Sequence, residues 1–358
     1  MVHLILAAAL LIALLGWRRN KTFFVAACMV LFLFAALRYM YGSDYSSYYG
    51  HYLNIQAGGA SPYDEWGFTM LNQLAPSFAF FIALTSAVFV WSSYKLVVGE
   101  LSTEYAWLGL LIFIINPYLF LMNLSAIRQC MAMVAFLGAV HFAIKRNLLW
   151  YLLMIGLACL MHKSAVILLP VWFLCGQRPV RGGVVCTVVL ALFLLLFAVD
   201  LEMLVITFLE IFNDKNYLHH ATQGDGNSLR ATMLTAISFV YVLGNLPRLK
   251  GKSLVYGKLY LISLTLGLLA YHISMLTRVQ MYFDIFSIVT IPAILRDNQE
   301  RGPVRVRRGN LPGTIWDLAN RFALPALVFL VYGLRYYSFF TNDMWTEFFT
   351  YQTIFSIR

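Results

Sequence analysis

The stretch from Leu37 to Leu74 reads LRYMYGSDYSSYYGHYLNIQAGGASPYDEWGFTMLNQL, and it stands between long apolar runs. It carries four charged residues among tyrosines and glycines, namely Arg38, Asp44, Asp64 and Glu65. Charged side chains beside apolar segments are costly to bury unless they face water, a ligand or one another. We therefore expect the rest of the chain to be a scaffold that holds this loop over a polar cavity.

The composition of the chain indicates an integral membrane protein. Of its 358 residues, 61% are hydrophobic and only 12% are charged, whereas a soluble domain is nearer half apolar and a quarter charged. Only helices and closed barrels satisfy every backbone polar group in lipid, and the apolar runs lack the alternation of barrel strands. The sequence therefore predicts an all-α, polytopic helical bundle that forms a single domain over residues 1–358.

Hydropathy and loop charge predict about twelve membrane segments. Two of them, Leu148–Met161 and Ser164–Cys175, are too short to cross a hydrocarbon core of about 30 Å at about 1.5 Å per residue. We interpret them as a broken-helix pair, which is tolerated at membrane depth where it lines a protein cavity. Their junction holds His162 and Lys163. The other segments are Leu4–Trp17, Phe23–Tyr39, Phe78–Leu96, Trp107–Leu121, Ala126–Ile144, Val184–Val199, Ala231–Leu246, Val255–Tyr271, Val279–Leu295 and Phe322–Ser338.

The distribution of basic residues gives the orientation. Most of the 26 lysines and arginines fall in one set of alternate loops, which includes the basic loop 296–321, and the positive-inside rule places these loops in the cytoplasm. The net charge of +10 then reflects topology and contact with anionic lipid, so no nucleic-acid partner is expected. The outer face carries the loops 40–77 and 200–230. Eight basic residues break the trend by lying on that outer side. Four of them stand at or inside the ends of apolar helices, and we expect these to form one basic cluster, namely Arg38, Arg128, Lys163 and Arg278.

Several well-known site motifs are missing from the sequence. It has no G-x-x-x-x-G-K-[ST] loop for ATP-driven transport, no dinucleotide fingerprint, no H-E-x-x-H and no G-x-S-x-G. It has no Asp-x-Asp pair to hold a divalent ion for a nucleotide sugar, and its five cysteines form no C-x-x-C pair. The sequence therefore predicts a site without a metal ion or a cofactor.

The polar residues that remain suit the transfer of a sugar from a lipid diphosphate. Arginine binds diphosphate oxygens bidentately and stays charged, so it can neutralise this leaving group in place of a metal ion. A carboxylate or a histidine can activate the attacking hydroxyl, and aromatic faces suit sugar rings. We expect Asp44 to be the general base, with His162 as the second choice and Glu65 as a partner that orients the acceptor.

Ordinary structural roles are open for several of these residues. Arg38 can extend to the membrane interface, Asp44 can cap the helix that follows it, and His162 can be a satisfied interfacial histidine. Arg278 and Tyr282, which lie four residues apart on one helical face, can be a packed pair between helices.

Four motifs resemble those of the EpsG family of Wzy-like exopolysaccharide and O-antigen polymerases. The first is the pattern of an Arg, then Gly-x-Asp-Tyr-x-x-Tyr, then Glu-x-Gly-Phe in the opening stretch. The segment NLSAIRQCMAMVAF resembles the family's Arg-Gln helix start, MHKSAVILLP its His-x-Ser-Ala segment, and RVQMYFDIFSIVTIPAIL its late Arg…Tyr-Phe…Pro segment. The matched positions are Arg38, Gly42, Asp44, Tyr45, Tyr48, Glu65, Gly67, Phe68, Arg128, Gln129, His162, Ser164, Arg278, Tyr282 and Phe283.

The resemblance implies a GT-C-like, metal-independent glycosyltransferase of the hexosyltransferase type in the bacterial inner membrane, with its active site on the outer face. Such an enzyme transfers a growing glycan from undecaprenyl diphosphate to a lipid-linked repeat unit. Its partners would be the lipid-linked donor and acceptor, membrane lipid, a chain-length regulator and a flippase. Contacts to substrate and diphosphate are expected from Arg38, Arg128, Lys163, Arg278, Tyr282, Tyr45, Tyr48 and Gln129.

Two other functions are consistent with the same residues. An O-antigen ligase, or another polyprenyl-dependent glycosyltransferase, would use the same donor and differ in the acceptor, which the sequence does not reveal. A flippase or transporter of lipid-linked glycans is less favoured, because transporters often contain paired repeats with broken helices in matching positions. The sequence shows one short-helix pair and no second pair to match it.

Overall fold

The computed structural model describes residues 1–17, 20–61, 63, 65–178, 228–300 and 317–356. Most of these residues are helical, which confirms the all-α prediction, and the chain divides into two compact units. Unit 1 comprises Met1–Gly176 with Leu334–Arg358, and unit 2 comprises Gln177–Gly333. The predicted segment Val184–Val199, most of the loop 200–230 and most of the basic loop 296–321 lie outside the described residues.

Unit 1 opens with a run of helices that are joined by short loops. Asn20, Ser77 and Asn147 each start a helix by accepting a hydrogen bond from a backbone amide two or three residues later. In chain order the helices are α1 (Val2–Leu15), α2 (Lys21–Ala36), α3 (Tyr45–Gln56), α4 (Trp66–Leu74), α5 (Phe78–Glu100), α6 (Thr103–Ile115), α7 (Leu121–Ser125), α8 (Ile127–Ile144), α9 (Leu148–Met161) and α10 (Val171–Leu174).

The C-terminal segment of unit 1 returns to the opening stretch. A 3₁₀ helix at Asp343–Phe348 leads to strand β2 (Gln352–Thr353), which pairs antiparallel with strand β1 (Arg38–Tyr39). Tyr351 stacks on Phe34 with ring centroids 4.5 Å apart, and its hydroxyl donates a hydrogen bond to the Phe34 carbonyl. These contacts hold the first residues of the opening stretch against the end of α2.

The helix break predicted between α9 and the next segment is present. His162 has extended backbone (φ −157°, ψ 117°) directly after α9, and a 3₁₀ helix then covers Lys163–Leu168. The Tyr151 hydroxyl of α9 donates to the Leu168 carbonyl at 2.7 Å, which ties the two halves together across the break. The backbone at His162 is thus turned out of the helix while the segment around it stays packed.

Unit 2 is helical as well, and it contains a bent helix pair. The bend between the helices Leu276–Asp284 and Ser287–Glu300 is 53°. A last helix, Leu324–Phe340, follows a π-helical turn at Ala319–Ala323. Its first residues belong to unit 2 and its last residues to unit 1. The helices are α11 (Leu229–Asn245), α12 (Gly251–Leu269), α13 (Leu276–Asp284), α14 (Ser287–Glu300) and α15 (Leu324–Phe340).

Fewer helices are long enough to cross a membrane than the sequence predicted. Within the described residues, five helices are long and apolar enough to cross a membrane, and the bent pair raises the number to six. Other predicted segments form apolar helices of 10–17 residues, which at about 1.5 Å per residue fall short of a core of about 30 Å. A count of about twelve therefore stays a prediction. The five helices are Phe78–Glu100, Ile127–Ile144, Leu229–Arg248, Gly251–Leu269 and Ala319–Phe340.

Candidate functional site

The turn before α3 brings Asp44 to the start of α8. Gly42 has a positive φ of 96°, and a Cβ at that position would lie 3.2 Å from the Ser125 Cβ, so glycine suits both the conformation and the space. The Asp44 backbone N–H donates to Ser125 Oγ at 3.0 Å, and Ser43 Oγ lies 3.1 Å from the same oxygen. The Asp44 side chain itself is exposed at the N-terminus of α3.

A close approach between α4 and α9 brings Glu65 to the helix break. A Cβ at Gly67 would lie 2.8 Å from the Leu160 Cβ and 3.0 Å from the Leu160 carbonyl oxygen, so only glycine fits there without a shift. Glu65 is the residue that precedes α4, and His162 is the residue that follows α9. The glycine contact therefore places a loop carboxylate beside the histidine at the break.

Glu65 is the centre of the candidate site. Its side chain is 6% exposed, and its Oε2 accepts a hydrogen bond from Arg128 Nη1 at 2.9 Å. Its Oε1 lies 3.2 Å from His162 Nδ1 and accepts a longer hydrogen bond from the Lys163 backbone N–H at 3.4 Å. A buried carboxylate is costly unless it is paired and hydrogen-bonded, and these three groups meet that requirement.

These partners also set the charge state of Glu65. Burial alone would raise the pKa of its carboxyl, but Arg128, the Lys163 N–H and His162 outweigh burial and lower that pKa below its usual value. Arg128 is the second residue of α8, where the positive end of the helix dipole is unfavourable for a cation. The Glu65 carboxylate offsets this, so the pair is ionised at neutral pH.

An aromatic stack surrounds Arg128. Its guanidinium lies over the Tyr63 ring, 3.6 Å from the centroid, and the His51 ring meets Tyr63 edge-on at 4.6 Å. Burial raises the pKa of Tyr48 to about 12 although Arg128, to which its hydroxyl is hydrogen-bonded, opposes that rise. Burial and the Arg128 charge both lower the pKa of His51. A cation, the Glu65 carboxylate and three rings thus share one region of unit 1.

Sequence reasoning missed His51 and Tyr63. His51 is three residues after Tyr48 on α3, and this spacing places both side chains on the same helical face. That signal was available in the sequence. Tyr63 has no comparable signal, because its position over Arg128 depends on how the loop between α3 and α4 folds.

The other predicted residues are distributed over several surroundings. Arg38 is 1% exposed. Tyr45 and Gln129 are buried in α3 and α8, and Lys163 is exposed while its backbone contacts Glu65. Arg278 and Tyr282 belong to α13 of unit 2, where Arg278 is exposed and Tyr282 is buried.

Unit 1 therefore brings together Glu65, Arg128, His162 and the Lys163 backbone. The predicted convergence of all four cations stays a prediction. In the part of the chain that the structure describes, no three His, Cys, Asp or Glu side chains are grouped so as to hold a metal ion.

Comparison with protein families assigns the chain to a family. The model of the EpsG family matches residues 21–301, which include the opening stretch, α8, the helix break and the bent pair of unit 2. Comparisons with curated proteins and with solved structures gave no match. The EpsG family is associated with glycosyltransferase-like polymerases of exopolysaccharide, and the apolar helices indicate a multi-pass membrane protein. Because the match covers well over half of the sequence, the chain belongs to the EpsG family.

Proposed function

We propose that this protein is a Wzy-like polymerase that transfers a growing glycan from undecaprenyl diphosphate to a hydroxyl of an incoming lipid-linked repeat unit. The observation that carries the proposal is the Glu65 carboxylate, which holds Arg128 on one oxygen and His162 on the other. A cation that suits a diphosphate and a base that suits a hydroxyl are thereby kept side by side.

The reaction needs a cation that stabilises the leaving diphosphate and a base that takes the acceptor proton, and residues around Glu65 can supply both. The acceptor oxygen forms a bond to the anomeric carbon of the donor while the bond from that carbon to the diphosphate oxygen breaks. The electron pair leaves with the diphosphate, whose growing charge Arg128 and the Lys163 ammonium stabilise. The acceptor proton passes to a base of unit 1. Arg278 and Tyr282 stay proposed donor-binding residues.

His162 is the base that the geometry favours. When Nδ1–H donates to Glu65, Nε2 is the nitrogen that can accept a proton, and the carboxylate stabilises the imidazolium that forms. Asp44, the first choice from the sequence, becomes the second choice, because its side chain is exposed, whereas His162 Nδ1 lies 3.2 Å from the buried Glu65 carboxylate. Glu65 thus orients the base in this proposal, where the sequence suggested that it orients the acceptor.

The setting of the enzyme is part of the same proposal. We place it in the bacterial inner membrane in a GT-C-like arrangement of about twelve spans, with the Glu65 region on the outer face. Transfer proceeds without a metal ion, because arginine supplies the charge that a divalent cation would supply. A flippase would deliver the repeat unit, and a chain-length regulator would act on the product.

The test is polymerisation by the purified protein in proteoliposomes that contain undecaprenyl-diphosphate-linked repeat units, a lipid A–core acceptor and EDTA. We expect a ladder of products whose spacing is one repeat unit. Transfer confined to a lipid A–core acceptor would favour the ligase, and movement of the lipid-linked unit across the bilayer without transfer would favour the flippase. Loss of the ladder in EDTA with recovery in Mg²⁺ or Mn²⁺ would contradict the metal-independent step.

A further inference from the structure

Arg38 is a buried cation that joins three elements of unit 1. Its guanidinium donates hydrogen bonds to the Ala35 carbonyl at the end of α2, to Ser86 Oγ of α5 at 2.8 Å and to the Leu124 carbonyl of α7 at 3.0 Å. All three partners are uncharged, and none of the described carboxylates is ion-paired with Arg38. With 1% of its surface exposed, this arginine does not reach a ligand from the position that it occupies.

The Leu124 contact lies at the junction that leads into α8. Leu124 and Ser125 are the last residues of α7, Ala126 breaks the helix with φ −82° and ψ 60°, and Arg128 is the second residue of α8. The direction in which the Arg128 side chain points therefore depends on how this junction is held. Arg38 holds it from the α2 and α5 side.

Ser125 holds the same junction from the other side. Its Oγ accepts the Asp44 backbone N–H at 3.0 Å and lies 3.1 Å from Ser43 Oγ. Both serine contacts come from the turn that begins at Gly42, so the loop that carries Asp44 is fastened to the residue that follows Leu124. One buried junction thus fixes two parts of the candidate site, although neither Arg38 nor Ser125 is part of the Glu65 contacts.

We propose that Arg38 and Ser125 are positioning residues at the α7–α8 junction. Arg38 keeps Arg128 in place, and Ser125 keeps the Asp44 loop in place, around a bound lipid diphosphate. The proposal rests on the function proposed above, and it replaces the direct diphosphate contact that the sequence suggested for Arg38. A group that acts only through Arg128 has nothing left to act on once Arg128 is removed. A group that binds the diphosphate itself adds its own contribution in either background.

The test is a double-mutant cycle on Arg38 and Arg128. Undecaprenyl diphosphate binding and turnover are measured in nanodiscs for Arg38→Gln, Arg128→Gln and the double variant, with thermal unfolding as the folding control. We expect Arg38→Gln to lower turnover up to about 100-fold, the effect of a displacement near 1 Å, and to have little further effect in the Arg128→Gln background. Effects that multiply would show that Arg38 binds the ligand by itself and would overturn the proposal.

Milder variants keep the test decisive if Arg38→Gln does not fold. Ser86→Ala removes one acceptor of Arg38 and keeps its charge, and we expect it to lower turnover about tenfold through Arg128 alone. Ser125→Ala removes the acceptor of the Asp44 N–H, whereas Ser43→Ala is the matched control that leaves that bond intact. Equal turnover in Ser125→Ala and Ser43→Ala, or no effect of Ser86→Ala, would contradict the proposal.

A readout without substrate separates this inference from the proposed function. Ser43→Cys and Ser125→Cys, introduced together, place two thiols where the hydroxyl oxygens are 3.1 Å apart. The rate of oxidative cross-linking between these thiols reports how closely the α7–α8 junction stays beside the Asp44 loop. We expect Ser86→Ala or Arg38→Gln to slow cross-linking severalfold, and an unchanged rate would overturn the positioning role. If cross-linking responds while Arg128→Gln binds the lipid diphosphate normally, the proposed function fails and the structural tie stands.

Discussion

Each unit of the molecule contains a buried cluster of polar side chains, and the two clusters differ in charge. In unit 1, Glu65 joins Arg128 and His162. In unit 2, Asn245 donates to Asn320 Oδ1 at 2.5 Å and accepts from Asn298 Nδ2 at 3.3 Å, and it also donates to the Tyr241 carbonyl at 2.8 Å. The first cluster contains ionisable groups, and the second is built on amides and a backbone carbonyl.

The difference separates the candidate site in unit 1 from a clamp between helices in unit 2. The asparagines are at most 8% exposed, and carboxamides do not ionise in the physiological pH range, so their contacts serve to hold α11, α14 and the π-helical turn together. In unit 1, Arg128 and His162 are 22% and 18% exposed, so a substrate can reach groups that carry charge or accept protons. Substitutions in the first cluster should therefore change rates, and substitutions in the second should change stability.

The largest expected effect comes from the proposed base. His162→Gln should lower turnover by about 10²–10⁴-fold, the usual contribution of a general base, while binding of undecaprenyl diphosphate stays close to normal. Asp44→Asn should have a smaller effect on turnover. The measurement is single-turnover transfer in proteoliposomes, with lipid binding determined on the same preparations.

The matched control for that experiment is His141→Gln near the end of α8, which keeps the same change of side chain away from the Glu65 cluster. Near-normal transfer by His162→Gln, together with loss of transfer in Asp44→Asn, would move the role of the base to Asp44. The comparison between the clusters would survive that result, because both candidates belong to unit 1.

The next effect concerns the cation of the cluster. Arg128→Gln should lower both lipid-diphosphate binding and turnover, the latter by about 10²–10³-fold, which is typical for removing one donor that stabilises developing charge. Arg146→Gln is the matched control, because Arg146 lies just beyond the other end of α8 and its Nη1 bonds the Trp172 carbonyl. Equal losses in the two variants would argue against a specific role for Arg128.

Much of the first cluster was predictable from the sequence, and its pairing was not. The helix break at His162 followed from segment length alone, and the charges around Glu65 stood out because they interrupt apolar runs. The Glu65–Arg128 pair joins residues 63 positions apart, and it depends on the contact between Gly67 and Leu160. A close backbone approach of this kind has no signature in hydropathy or periodicity.

The role of Arg38 could not be predicted from the sequence either, because it too depends on residues that are distant in the chain. An arginine at the end of an apolar segment can extend to the interface, bind a ligand or be buried. Which of these happens depends on acceptors supplied by Ser86 and Leu124, which are 48 and 86 positions away. The asparagine cluster of unit 2 went unpredicted for this reason as well, because single asparagines in apolar helices do not reveal their partners.

A smaller effect is expected from breaking the asparagine clamp. Asn245→Ala leaves the amides of Asn298 and Asn320 without one partner, and this should reduce the free energy of unfolding by about 1–3 kcal/mol. Turnover per folded molecule should stay the same, because no proposed catalytic group is changed. Thermal unfolding in detergent is the measurement, and Asn54→Ala, at an exposed position of α3, is the control. A large loss of turnover in folded Asn245→Ala protein would break the distinction between the two clusters.

The smallest expected effect is that the stability contributed by the first cluster depends on pH, whereas the stability contributed by the second does not. Because the pKa of Glu65 is lowered in the folded protein, its ionised form contributes stability that is present above the ordinary value of 4.5 and is lost as the pH falls through the lowered pKa. Glu65→Gln should therefore be less stable than the wild type at pH 6, and the difference should shrink below about pH 4.5. Asn245→Ala should show a difference from the wild type that does not depend on Glu65 ionisation and so stays constant over this range. The measurement is the melting temperature of the wild type, Glu65→Gln and Asn245→Ala at pH 6, 4.5 and 3.5. If the difference in melting temperature between Glu65→Gln and the wild type stays constant down to pH 3.5, the carboxylate is not held in its charged form by Arg128 and His162.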